Sequence, residues 1–228
     1  MKIQREFSQN AKAYDEVNVI QKSVVKQLLS KITDAPARIL DIGCGNGTVY
    51  KHIDWDVSHF VGMDFAKGML QLHPKAAHVT LLERDFNDPL AFADMDAHRF
   101  ERIISASALQ WAQDLDGTLA SIAALQVPVS LAIFTSDTFK TLYKTAGLSP
   151  ILRHRDEVIS LLQRHFDGEL EVVHYTLAFD SVREMFRYMK KSGVGAGRNV
   201  LSYRQMKQVM ADYPLEHLEY EIVLLHQS

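Results

Sequence analysis

The stretch from Ala37 to Tyr50, "ARILDIGCGNGTVY", runs from apolar residues through an aspartate into three glycines within five positions. Glycine gives up more backbone freedom on folding than any other residue, so such density implies a turn where the main chain must approach something closely. An apolar run, a glycine turn and the start of a helix form a strand–turn–helix unit. Open parallel sheets bind ligands at such turns, at the carboxyl ends of their strands.

The rest of the chain keeps the rhythm this unit demands. Val17, Ile20, Val24, Leu28 and Ile32 recur every three or four residues, the pattern of an amphipathic helix that ends near Pro36. Strand-like runs then follow at 37–43, 59–65, 78–86, 100–109 and 129–136, with helical character between them, as in "DLDGTLASIAALQ". Alternating strands and helices predict a parallel sheet covered on both faces. After Ser136 the order changes: "DTFKTLYKTAG" and "RDEVISLLQRHF" read as helices and 170–179 as a strand. "SVREMFRYMKKSG" and "SYRQMKQVMADY" read as helices and 219–228 as a last strand. The expectation is a single domain over 1–228, with a cofactor-binding core and N-terminal helix in 1–136. The remaining strands and helical lid elements then fall in 137–228.

Composition narrows the class. A net charge of −3 and a pI near 6.4 argue against a dedicated nucleic-acid binder. Cys44 is the sole cysteine, so no internal disulfide forms, and no Cys/His spacing suggests a metal site. Cys44 itself reads as a small packing residue. No apolar run approaches the length of a bilayer span, and "MKIQREFSQNAKAYDEV" lacks the apolar centre of a signal peptide. A soluble cytoplasmic protein with no membrane partner is the expectation.

The glycine loop does not suit a dinucleotide or a phosphate. In a G-x-G-x-x-G frame Gly43 and Gly45 match, but the third position is Thr48 and the glycine falls early, at Gly47. No Lys-Ser/Thr pair follows, as a P-loop would need. Asp41 beside a pyrophosphate would put like charges together in a low-dielectric site. A cationic or neutral ligand fits better. Asp64 closes the second strand, where a carboxylate can accept both hydroxyls of a ribose. Asp85 and Phe86 end the third, offering a carboxylate for an exocyclic amine and a ring for a base; Asp85 could alternatively cap the segment after it. Adenine, ribose and a cationic amino-acid part together describe S-adenosylmethionine.

"ILDIGCGNGT", "GMDFAKGML", "ERDF" and "ISASALQW" resemble the class I S-adenosylmethionine-dependent methyltransferases. That resemblance implies a Rossmann-like α/β fold with a seven-stranded, mostly parallel sheet in the order 3-2-1-4-5-7-6. Helices cover both faces, with a helical lid insertion near the C-terminus. By position, Asp41, Gly43 and Gly45 would line the methionine part of the cofactor and Asp64 the ribose. Asp85 and Phe86 would hold the adenine, Ser105 would lie beside the sulfonium, and Tyr14 and Met69 would complete the pocket, with Gln21 facing it. The Pro-Gly-Gly turn usual before the fifth strand reads "LQVPVS" here.

"FSQNAKAYDEVNVIQKSV", "SASALQWAQDL" and "MFRYMKKSGVGAGRNVLSYRQM" are similar to the malonyl-acyl-carrier-protein O-methyltransferases of biotin synthesis. That resemblance implies methylation of the free carboxyl of a malonyl thioester on acyl carrier protein. A carboxylate is already ionised at neutral pH, so no general base is required and no catalytic residue is nominated. Residues 183–207 hold seven basic side chains against one acid, a local charge of +6 that can steer an acidic carrier protein. Arg187, Lys190, Lys191 and Arg198 are the substrate-side candidates there, Arg198 as a fork for the malonyl carboxylate; the same charges could be a solvated helix face. Trp111 is expected at the acceptor mouth, or in the core. Two other readings stay open: a methyltransferase of a small free carboxylic acid or other small molecule, and a protein that binds S-adenosylmethionine without catalysis.

Overall fold

The computed structural model describes residues 18–88, 90–95, 99–192 and 202–228, without the side chains of 190–192. Seven strands form one sheet: β1 (Arg38–Ile42), β2 (His59–Asp64), β3 (Val79–Glu83), β4 (Arg102–Ala106), β5 (Val129–Phe134), β6 (Glu169–Ala178) and β7 (His217–His226). Their order is β3-β2-β1-β4-β5-β7-β6. The first five run parallel, and β7 is antiparallel to both β5 and β6. This is the order and polarity that the motif resemblance implied.

Burial explains the sequence of each strand. β5 is buried at all six positions and β1 at its last four, which is why both read as continuous runs rather than alternating ones. The two faces separate cleanly. Leu40, Ile42, Ile103, Leu131 and Val223 point to one core; Ile39, Phe60, Ile104, Ala132 and Leu224 point to the other. The first core is closed by α4 (Leu115–Ala123) and α6 (Arg155–His165) through Leu115, Leu119, Ile122, Val158 and Leu162. The second is closed by α1 (Val19–Leu29), through Ile20, Val24, Val25 and Leu28.

Shorter elements set the ligand end. α2 (Thr48–His52) and α3 (Lys67–Leu70) begin just beyond β1 and β2, and a 3-10 turn (Leu109–Trp111) follows β4. α5 (Lys140–Ala146) comes after β5, and α7 (Val182–Ser192) and α8 (Tyr203–Asp212) lie between β6 and β7. α4 starts on Asp114, whose carboxylate accepts from Gly117 N at 3.0 Å, and α8 on a capping box between Ser202 and Gln205. Before β5, Gln126 takes the left-handed turn, φ 54°, with its N–H on Ala123 O at 2.9 Å. The "LQVPVS" stretch thus makes its turn without a glycine.

At the other end of the sheet, Arg102 is buried to 1% exposure. It donates through Nη2 to Asp34 Oδ2 at 2.8 Å and through Nη1 to Gln227 O. This pair ties β4 to the segments before β1 and after β7.

Candidate active site

β1 and β4 are neighbours, while β2 and β5 continue the sheet in opposite directions from them. The connections diverge at this point, leaving a crevice at the carboxyl ends of the strands. Of the expected cofactor residues, those among the described residues lie at or near these strand ends.

Asp41 is fully buried, on the face of β1 covered by α1 since Ile39 points the same way. Neither of its carboxylate oxygens has a hydrogen-bond partner among the described residues. Burial first, and the neighbouring Asp64 second, push its carboxyl well above the usual carboxylate range. Asp64 accepts Gly45 N–H at 2.9 Å on Oδ2 and Ala66 N–H at 2.7 Å on Oδ1. Burial raises its pKa, those two N–H groups pull it back, and Asp85 adds to the rise. Asp64 therefore holds the glycine loop in place as well as standing at the end of β2. Buried polar groups are nearly always paired, so the bare Asp41 carboxyl is the anomaly of the site.

The glycines divide by what surrounds them. All three have positive φ. A Cβ on Gly43 would sit 2.2 Å from that of Ala108, and one on Gly47 2.8 Å from the His73 ring, so both positions are fixed by protein neighbours. At Gly45 the nearest atom is the flexible Met69 Cε, 3.3 Å away. Gly45 is the one of the three whose neighbour is only the far end of a flexible side chain. Phe86 is buried beside Gly43, its Cε1 3.9 Å from the same notional Cβ, and Met69 is buried over Gly45.

Other candidates carry structural duties. Ser105 is fully buried and donates its hydroxyl to Ile42 O at 2.7 Å, a bridge between β4 and β1. Asp85 is exposed; its Oδ1 accepts from both the backbone N–H (2.9 Å) and the side-chain amide (2.8 Å) of Asn87. It thus shapes the turn after β3, in keeping with the capping alternative. Trp111 is half-buried in the 3-10 turn. Arg187 is exposed on α7, on the side opposite buried Met185. Lys190 and Lys191 fall in the last turn of α7, and their side chains lie outside the described residues. Tyr14 and Arg198 lie wholly outside them. Cys44 is buried, and burial, Asp41 and Asp64 all raise its thiol pKa, which suits a packing residue.

Several further polar groups are unpaired among the described residues; of these, Gln21 was expected to face the cofactor, while Asn18 and Ser107 were not singled out. Asn18 and Gln21 open α1, and the Asn18 amide and Gln21 Oε1 are buried without a partner among the described residues. α1 runs antiparallel to the first five strands: Gln27, near its far end, meets Glu171 at the start of β6. Asn18 and Gln21 are therefore at the crevice end. Ser107, just past β4, adopts φ 67°, and its Oγ is likewise unpaired. No sequence pattern marks a serine for a left-handed backbone. Among the described residues no cluster of His, Cys, Asp and Glu could hold a metal ion, and no helix is long and apolar enough to cross a membrane.

Comparison with known proteins agrees with this geometry. Residues 39–128 match the Methyltransferase domain family. The malonyl-[acyl-carrier protein] O-methyltransferase of Halorhodospira halophila is 26% identical over 234 residues, covering 93% of this chain and 79% of that protein. The protein of that name from Acetivibrio thermocellus is 32% identical over 130 residues, 51% of this chain and 42% of the other. In structure the chain is similar to the YcgJ protein of Bacillus subtilis (TM-score 0.62, 12% identity, 90% and 98% covered). It is also similar to phosphoethanolamine N-methyltransferase 2 of Haemonchus contortus in complex with S-adenosylhomocysteine (TM-score 0.60, 13% identity, 96% and 57% covered). Sheet order and structural neighbours give the chain a Rossmann-like α/β fold, and residues 39–128 are the part that matches a methyltransferase domain.

Proposed function

We propose that this protein binds S-adenosylmethionine in the crevice above β1 and β4 and methylates the free carboxyl of a malonyl thioester on an acyl carrier protein. The observation that carries the cofactor is Asp41, a buried carboxyl with no hydrogen-bond partner among the described residues and a second carboxyl beside it. Such a group is costly until a cation arrives. Bound there, S-adenosylmethionine supplies that cation and an electrophilic methyl group. Gly45 gives it room, Asp64 offers lone pairs to the ribose, and Phe86 and Met69 give it apolar walls.

The acceptor rests on resemblance to the malonyl-[acyl-carrier protein] O-methyltransferases over about nine-tenths of the chain. It also suits the chemistry, because a carboxylate needs only orientation and shielding from water. Arg183 and Arg187 support docking of an acidic carrier. Both are exposed on α7 and form no ion pair among the described residues. On α8, Arg204 and Lys207 are exposed beside Tyr203, with Lys207 Nζ 5.0 Å from the Tyr203 ring centroid.

The test is to incubate the protein with S-adenosylmethionine and malonyl carrier protein and to weigh the product by mass spectrometry. One added methyl is expected on malonyl carrier protein and none on the acetyl form. Methylation of free malonate alone would replace this acceptor with a small acid. Cofactor binding with no turnover on either would refute the enzyme reading.

A further inference from the structure

An open hollow of about 470 Å³ lies one turn beyond the glycine loop, walled by Gln110, Trp111, Ile151, Leu152, Arg153 and Glu157. Two contacts tie it to the crevice. Ala108 packs on Gly43 and accepts from Trp111 N at 3.1 Å, so the 3-10 turn leads from the glycine loop into the hollow. On the other wall, Ser136 N donates to Arg153 O at 2.8 Å, which holds this segment at the carboxyl end of β5.

Arg153 is fixed along one side only. Nη2 donates to Ala112 O at 2.7 Å and Gln113 O at 3.1 Å, and Nε lies 3.5 Å from Glu157 Oε1. Nη1 has no hydrogen-bond partner among the described residues. The Arg153 side chain is 23% exposed, so an anion meeting it there is partly shielded from water. Gln110 is also half committed: Nε2 donates to Ser107 O at 2.7 Å, while Oε1 is buried and unpaired. Ser107, which receives that bond, sits in a backbone conformation uncommon outside glycine, and such outliers gather at functional sites.

We infer that this hollow seats the carboxyl end of the acceptor and that Arg153 is the cation that receives it. The inference rests on the carboxyl-acceptor reading above and assigns the contact to the segment before α6 rather than to residues 183–207. A carboxylate oxygen on Nη1 leaves the other oxygen free to take the methyl group. Glu157 is the competitor. It is 54% exposed and at the edge of a hydrogen-bonding distance from Nε, so it neutralises the guanidinium only weakly and leaves Nη1 to an incoming carboxylate.

The experiment compares binding of malonyl-pantetheine and its methyl ester, by calorimetry in saturating S-adenosylhomocysteine, for three variants. Wild type prefers the free acid. Arg153→Gln loses that preference by about ten- to a hundredfold, the scale of charge-assisted hydrogen bonds, with cofactor affinity unchanged. Arg153→Lys keeps part of it. Glu157→Gln, a change at an exposed position, raises the preference severalfold, an opposite sign that a merely structural role of Arg153 would not produce. Unchanged preference in both Arg153→Gln and Glu157→Gln overturns the inference while wild-type turnover keeps the proposed function intact. If wild type itself neither binds nor methylates the malonyl thioester, the acceptor reading fails and takes the inference with it.

Discussion

Replacing Asp41 with asparagine exchanges a buried, unpaired carboxyl for an amide of the same shape, and the apoprotein should gain stability while losing affinity for its cofactor. The pH dependence fixes the sign. Burial and Asp64 raise the folded-state pKa, so the folded protein keeps this proton to higher pH than the unfolded chain, whose carboxyls ionise near about 3.9. Across the window between the two values the folded state binds more protons, and apoprotein stability falls as pH rises; above the raised pKa the loss is complete. The amide cannot ionise. The gain should be small at pH 4, where the acid is neutral in the folded state and only about half ionised in the unfolded chain, and about 1–3 kcal/mol at pH 8, the scale of an uncompensated buried polar group. For a chain of this size that is about 2–12 °C in Tm. Scanning calorimetry of both proteins at the two pH values, with and without S-adenosylmethionine, reads everything at once. The variant should melt higher when bare and gain less from the cofactor. Equal melting at pH 8, or an undiminished cofactor shift, would refute the assignment of Asp41 as a carboxyl kept for a cation.

Asp64→Ala should weaken S-adenosylmethionine binding by at least about 1.5–3 kcal/mol in calorimetry, since it removes a ribose acceptor and frees the N–H groups of Gly45 and Ala66. Gly43→Ala drives a methyl into Ala108 at a left-handed backbone position, and urea melts should show a loss of about 1–3 kcal/mol or more. Asp34→Asn takes the carboxylate from buried Arg102, and a fall of about 1.5–3 kcal/mol is expected in the same assay, far from the crevice and without effect on cofactor affinity. Charge reversal of both Arg183 and Arg187 should slow turnover of malonyl carrier protein at low salt and leave a malonyl-pantetheine substrate unaffected.

The centre of the parallel half was legible because β1, β2, β4 and β5 are mostly buried on both faces and so appear as nearly unbroken apolar runs, unlike edge strand β3. The glycine loop was legible because close approach leaves few residue choices. Function within the loop was less so. "GCGNG" looks uniform, yet two of its glycines answer to Ala108 and His73 and one only to the flexible end of Met69, which only packing reveals. Ser105 and Asp85 stood at the expected strand ends, but their hydroxyl and carboxylate are engaged within the protein, by Ile42 O and Asn87. Gln126 and Ser107 hold left-handed turns that a sequence advertises only when glycine fills them. Arg153 escaped notice because its neighbours, Ala112 and Gln113, are some forty positions earlier in the chain.

Among the described residues β6 has no strand neighbour except β7, and β7 comes to it only after α7 and α8. During synthesis β5 therefore presents a bare, mostly apolar edge, and β6 has nothing to pair with, until β7 slides between them. That interval exposes the nascent chain to sticking to other chains edge to edge, and it makes assembly of the last three strands a late, long-range step. A fusion or tag that delays β7 should cost soluble yield more than one placed before α1.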